Sequence, residues 1–286
     1  MNYFQHFITD HGPLIQIALF AGLFSISWNI ENIAGIVFNY KKWKHSFINA
    51  PFMLTNIPGQ LLLGLAFVKT IEWTGRHQIG FLYHLPVNKN SFMLFLVSFV
   101  FLDLGEYVYH VTMHKVKGLW MFHIVHHSDH VVDVSTTLRE HPGENFIRLS
   151  FTLFWVLISG AAIWVLMLRQ IIQVFTTFFA HMNYRLPEKA DKVIGLVFIT
   201  PNLHQVHHHY QQPYTDSNYG DVFSIWDRLF GTFKKLPVEE LVFGVDTYMK
   251  KEDTGNFISL VKLPFGKYRK KNQDLDSWKS INKSDK

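Results

Sequence analysis

Residues 91–114 read SFMLFLVSFVFLDLGEYVYHVTMH, an apolar stretch that runs without a break into two histidines four residues apart. A helix needs about 20 mostly apolar residues to cross a bilayer, so this segment predicts a span over 91–109 that ends by delivering His110 and His114 to the membrane surface. Asp103 and Glu106 sit seven and four residues before His110, on the same helical face. Acids inside a membrane helix are costly and usually functional. Their expected task is to accept the spare N–H of a ligand histidine, which fixes the tautomer and raises basicity.

The remainder of the chain supports a membrane reading. Of 286 residues, 48% are hydrophobic, 16% aromatic and only 17% charged, too apolar for an ordinary soluble domain. Further apolar runs cover 13–30, 51–70 and 146–182, and the last is too long for one span. It breaks at Ser159-Gly160 into helices over about 146–158 and 161–182, the first short enough to be tilted or re-entrant. The expected fold is all-α, an integral multi-pass membrane protein with four to five transmembrane or re-entrant helices in hairpins. A helical cap carries the histidines.

YKKWKH (40–45) has three lysines and no acid, which places that loop in the cytoplasm by the positive-inside bias. Counting crossings puts 71–90 outside, although Arg76 and Lys89 there outnumber Glu72, and puts 110–145 and everything after 182 on the cytoplasmic face. The N-terminus MNYFQHFITDHGP has no Lys/Arg-led leader, so the first apolar run is expected to stay in the protein. The expected parse is an N-terminal transmembrane hairpin over 1–90 and a catalytic region over 91–235, whose cap includes Trp226, Phe230 and Phe233. A polar basic tail over 236–286 follows, with Lys267, Arg269, Lys270 and Lys271. The net charge of +5 fits a surface near anionic lipid better than base-specific recognition, and no nucleic-acid partner is expected.

With no cysteine there are no disulfides and no thiolate metal sites. Of 17 histidines, 12 fall between His110 and His209. Three clusters share one geometry: His110-x3-His114, His123-x2-His126-His127 and His204-x2-His207-His208. On a helix, positions i, i+3 and i+4 lie on one face, so each cluster is expected to point at one centre. Eight imidazoles exceed what a single zinc needs and suggest two metals. His181, in HMN (181–183), ends the returning helix and is a ninth candidate. An all-nitrogen site accepts zinc, iron or copper, with copper disfavoured by the lack of Cys and of a Met ligand pattern.

These boxes resemble the membrane-bound fatty acid hydroxylase and sterol desaturase superfamily. LWMFHIVHHS (119–128), TLREHPGE (137–144), FFAHMNYRLP (178–187), TPNLHQVHHH (200–209) and DSNYGDVFSIWDRLFGTF (216–233) are similar to its bacterial-type sterol desaturase members. The resemblance covers about 95–235 and implies a non-haem di-iron centre. Such a centre uses O2 and two electrons to hydroxylate or desaturate an unactivated C–H bond of a sterol, fatty acyl or alkyl lipid. It also implies a ferredoxin- or cytochrome-type electron donor, a ligand role for His181 and an outer role for His141. Asn183, with Tyr107, Tyr109 and Tyr219, is expected to line or tune the site. Val111 stands where the family often has Arg, and His130 and His209 fall outside the pattern. HPGE (141–144) lacks the second glycine of the haem-binding HPGG motif. The rival readings are a membrane zinc hydrolase and a non-enzymatic metal-binding or transport protein. The expected location is a bacterial inner membrane or the endoplasmic reticulum.

Overall fold

A computed structural model describes residues 2–33, 40–86 and 92–268. Twelve α-helices carry the described residues: α1 (Asn2–Ile33), α2 (Lys42–Asn49), α3 (Pro51–His77), α4 (Phe92–Lys115), α5 (Lys117–His127), α6 (Pro142–Ser159), α7 (Ile163–His181), α8 (Glu188–Ile194), α9 (Pro201–His207), α10 (Ile225–Leu229), α11 (Lys251–Thr254) and α12 (Phe257–Lys262). The only β-pairing among them is two isolated bridges, Phe198 with Phe223 and His209 with Phe243. The all-α expectation holds.

Among the described residues, four stretches are long and apolar enough to cross a membrane: Asp10–Ile33, Lys42–His84, Phe92–Lys115 and Ile163–His181. The break expected at Ser159-Gly160 separates α6 from α7. Gly160 sits at φ +71, and a Cβ there would lie 2.6 Å from the carbonyl oxygen of Ile79, so only glycine fits. Gly105 serves another close approach. A Cβ on it would meet the Trp155 ring at 2.8 Å, and its absence lets α4 lie against α6.

Two boundaries differ from expectation. The N-terminal helices do not form a hairpin of their own: α1 packs along α7, and α3 along α6. The apolar faces of α1 and α3 therefore complete the bundle that carries the histidines. Nor does a polar tail begin at 236. Val245, Leu260 and Leu263 are buried against Phe52, Trp120 and Ile124, and so cover the side of α5 that faces away from the centre. Burying each such side chain is worth about 1.5–3 kcal/mol, enough to fold this segment onto the cap. The basic residues Arg269, Lys270 and Lys271, and Lys89 of the expected outer loop, lie outside the described residues.

Candidate dimetal centre

Two groups of histidines meet where the ends of α4, α5, α7 and α9 converge. His110 and His114 of α4, His123 and His127 of α5 and His207 of α9 form one group, each offering a ring nitrogen within 4.8 Å of the others. His126, His181, His204 and His208 form the second, within the same distance. All nine sequence-derived candidates are present.

The division between the groups differs from the expected one. His123 and His127, four residues apart, share the five-histidine group, while His126 between them joins the other. In the third box the roles are exchanged: His204 and His208 stay together and His207 crosses over. Consecutive residues on a helix diverge by about 100°, so an adjacent His-His pair cannot aim at one point. The second and third boxes each bridge the two groups, while the first contributes both its histidines to one, and the rings of His127 and His208 stack at 4.6 Å where the groups touch.

Most rings of the five-histidine group are held from outside through Nδ1. His110 Nδ1 faces the Tyr219 carbonyl at 2.9 Å, and His207 Nδ1 the Ser217 carbonyl at 2.7 Å. His123 Nδ1 faces Glu144 Oε1 at 2.5 Å, and His114 Nδ1 faces Asp216 Oδ1 at 3.3 Å. A carbonyl or carboxylate oxygen can only accept, so each of these Nδ1 atoms is assigned as the donor, and in the neutral ring Nε2 is left with a lone pair. The consequence is visible in one pair. Nε2 of His110 and Nε2 of His123 lie 3.2 Å apart, two lone pairs aimed at each other. A cation between them turns that repulsion into ligation. His127 is fully buried, and neither of its ring nitrogens has a hydrogen-bond partner among the described residues.

The second group shows the same convergence with less outer support. Nε2 atoms approach in a chain, His126 to His181 at 3.1 Å, His181 to His204 at 2.9 Å and His204 to His208 at 3.1 Å. His181 Nδ1 donates to the Thr177 carbonyl, which leaves its Nε2 as a lone pair facing two neighbours. Burial, followed by the proximity of other rings, holds His126, His127, His204 and His208 well below the ordinary imidazole pKa. They are therefore neutral, the ligand form of histidine. The donor set fits two borderline cations that accept nitrogen.

The acids of α4 have other partners than expected. Asp103 accepts from the backbone N–H of Val222 and Phe223 and from Trp226 Nε1, which ties the cap to the span. Glu106 pairs with Arg148 and Arg169, each at 3.5 Å, and accepts from Thr152. A helix rises about 1.5 Å per residue, so four and seven residues put these carboxylates about 6 and 10 Å along the axis from His110. The Tyr219 carbonyl reaches the ring first. His141 touches no ligand ring in the described contacts: its Nδ1 accepts from Gly143 N and caps α6. That cap sets the start of the helix whose third residue is Glu144, so His141 acts on the centre one step removed. Asn183 anchors the end of α7, its backbone N–H donating to Glu31 Oε1 at 2.8 Å.

Among known proteins, the fatty acid hydroxylase family model matches residues 95–232, a segment that contains both histidine groups. That segment belongs to the fatty acid hydroxylase and sterol desaturase superfamily. It is 33% identical over 141 residues to alkylglycerol monooxygenase of Danio rerio, covering 48% of this chain and 30% of that protein. It is 29% identical over 142 residues to an ornithine lipid hydroxylase of Rhizobium tropici, covering 50% of this chain and 42% of the relative. A match of 27% identity to a very-long-chain aldehyde decarbonylase of Oryza sativa subsp. indica covers 66% of this chain and 65% of that protein. The chain thus spans less than half the length of the first two relatives. No solved structure matches it.

The outer partners Glu144 and Asp216 were not among the residues expected from sequence, although they lie in TLREHPGE (137–144) and DSNYGDVFSIWDRLFGTF (216–233). Glu144 was detectable in principle, since Pro142 marks a helix start and the third residue of that helix is an acid. Asp216 leaves no local signal. A third set lies behind α5. Both ring nitrogens of His45 face carboxylates, Nε2 to Asp129 at 2.7 Å and Nδ1 to Asp133 at 3.0 Å, which requires both N–H groups and hence the imidazolium. Tyr40, Ser135, Thr136 and Arg139 complete this network.

Proposed function

We propose that the two histidine groups hold two iron ions and that the chain is an O2-dependent oxidoreductase. It would hydroxylate or desaturate an unactivated C–H bond of a membrane lipid. The observation that carries this is the pair of convergent, largely buried imidazole sets within a fatty acid hydroxylase segment. The names of the relatives, an alkylglycerol monooxygenase and an ornithine lipid hydroxylase, supply the lipid and the oxygen chemistry.

Iron would supply O2 activation; holding and shielding the reacting atoms falls to the chain. His110, His114, His123, His127 and His207 would hold one ion, and His126, His181, His204 and His208 the other. Glu144 keeps the proton of His123 on Nδ1, so that Nε2 points inward as a base. Either reaction draws two electrons from a ferredoxin- or cytochrome-type donor and two protons from water, and in hydroxylation one oxygen atom enters the lipid while the other leaves as water. In desaturation two hydrogens leave the lipid and both oxygen atoms end in water.

The lysine-rich turn supports a cytoplasmic centre. Its His45 bonds to Asp129 two residues beyond the second box, so Lys41, Lys42 and Lys44 lie at the same end of the bundle as the histidines. The full chain, purified with its metals, should hold about two irons and consume O2 when given a reductant. A lipid in cells expressing it should change by one oxygen or two hydrogens, and not with H126A/H127A. Bound zinc with no O2 uptake would point to a hydrolase instead.

A further inference from the structure

A cavity of about 170 Å³ adjoins both histidine groups, touching His110 and His123 of one and His126, His181 and His204 of the other. Pockets for alkyl chains are walled by hydrocarbon with a few polar groups. This one carries many more polar and charged side chains. Glu106, Glu140, Glu144, Arg148, Asp221 and Thr137 line it, and Ala180 is the single aliphatic side chain among its lining residues. Glu106 is bracketed by Arg148 and Arg169, a layer of charge on the membrane side of the histidines, since α4 rises from Glu106 to His110 as it leaves the bilayer.

Two acceptors in the wall have no donor. Glu144 is fully buried, and its Oε2 has no hydrogen-bond partner among the described residues. The same is true of Asp221 Oδ2, with Arg169 Nη2 standing off at 3.9 Å. A buried acceptor without a donor costs about 1–3 kcal/mol, so both oxygens fit a ligand that brings its own N–H or O–H. Burial and the neighbouring charges of Glu106 and Asp103 push the Asp221 carboxyl up to about 7, as expected of a group short of such a partner.

We infer that this cavity takes the polar head of the lipid and not its hydrocarbon chain. The oxidised carbon lies within a few bonds of a hydrogen-bond-donating head, hydroxyl or ammonium, received by Asp221 and Glu144. This deepens the proposed oxidoreductase reading by naming which end of the lipid reacts. The chain of the substrate stays in the bilayer, along α4 and α7, and only the head and its first carbons reach the centre.

The test is competition binding to the full chain, purified with its metals in nanodiscs, using tritiated 1,2-hexadecanediol against hexadecylamine and hexadecane. One diol per chain should bind, hexadecylamine should displace it and hexadecane should not. Asp221→Asn should weaken hexadecylamine binding about ten-fold or more while metal content and unfolding temperature stay at wild-type values. The inference is overturned if hexadecane displaces the diol as well as hexadecylamine does. It is also overturned if Asp221→Asn leaves affinity unchanged, or if Asp221→Asn sheds metal and so proves structural. Tandem mass spectrometry of the cellular product adds a second measurement: oxidation in the first few carbons from the head supports the inference and oxidation at mid-chain overturns it. Binding is read without turnover, so a protein that binds polar-headed probes and consumes no O2 would sink the oxidoreductase reading while leaving the cavity's role as a head-group site standing.

Discussion

The two histidine groups share helices but not outer support. In the five-histidine group four rings are fixed through Nδ1, to Tyr219, Asp216, Glu144 and Ser217. In the four-histidine group His181 is held by Thr177, while Nδ1 of His204 and of His208 is buried without a partner among the described residues. An outer acceptor orients a ligand ring and raises its basicity, and its loss typically costs about 10–100-fold in metal affinity or activity. On the proposed dimetal reading, one site would be built before a metal arrives and the other would be shaped more by the metal itself. The five-histidine group is expected to be the tighter.

The largest effect that tests this difference comes from removing a ligand. His204→Ala and His207→Ala should each reduce lipid oxidation by more than about 100-fold, beyond the cost of losing an outer partner. Metal analysis of the purified variants separates them. His204→Ala should keep about one iron per chain, whereas His207→Ala should keep less, because its intact site is the weaker. In the wild-type protein, graded chelation should remove one iron at least about ten-fold more readily than the other. Equal release of both ions would break the comparison.

Next is Glu144→Gln, which keeps the shape and removes the charge behind His123. Iron affinity of the tighter site should fall about 10–100-fold, with the weaker ion unaffected. If both ions weaken together, Glu144 holds the helix bundle and not one ring. Tyr109 and Arg148 also contact this carboxylate, so the wild-type unfolding temperature should be measured alongside.

How far these contrasts were legible in sequence follows from the range of the interactions. The spans, the break at Gly160 and all nine histidines were readable, because apolar length and i, i+3, i+4 spacing are local properties. The assignment of each box to one centre failed for the second and third boxes, since spacing gives the angle between neighbours but not the position of a second helix on the far side. Asp103 and Glu106 were expected to serve His110 and instead secure the cap and two arginines. Their partners come from residues 222–226, 148 and 169, and local reasoning does not reach that far. His130 and His209, which lie outside both histidine groups, hold the C-terminal segment: His130 faces the Tyr248 carbonyl, and His209 accepts from Val242 N.

The network behind α5 offers a pH test of the shared scaffold. Burial opposes the charge of Asp129 and Asp133, but His45, reinforced by Arg139 at Asp129 and by hydroxyl donors at both, holds each carboxyl below its ordinary value. For a depressed pKa the stabilisation is complete above the unfolded value, about 4, and is lost as pH falls through the folded one. Unfolding temperature of the metal-free protein should therefore hold steady between pH 7 and 5 as far as these two groups are concerned. It should drop below about pH 4, as the two carboxylates protonate and their stabilisation is lost. Loss already between pH 7 and 5 that His45→Gln does not alter would place the sensitive group elsewhere, for example in the unsupported histidines of the weaker site.

The smallest expected effect is at Asp216, and it separates two kinds of outer support within the tighter group. Its Oδ1 stands 3.3 Å from His114, while Oδ2 also accepts from Lys115 at 2.9 Å and Gln212 at 2.8 Å. A carboxylate divided among three donors gives less of its charge to any one ring than Glu144 gives to His123. A long contact also weakens steeply with distance and angle. Asp216→Asn keeps an oxygen in place, so iron affinity should fall by less than about ten-fold, equivalent to about 1.4 kcal/mol. A loss as large as that of Glu144→Gln would mean that the charge behind a ring matters more than the closeness of its contact. The two backbone carbonyls on His110 and His207 would then be the weak supports of this group, and the margin between the two groups would narrow accordingly.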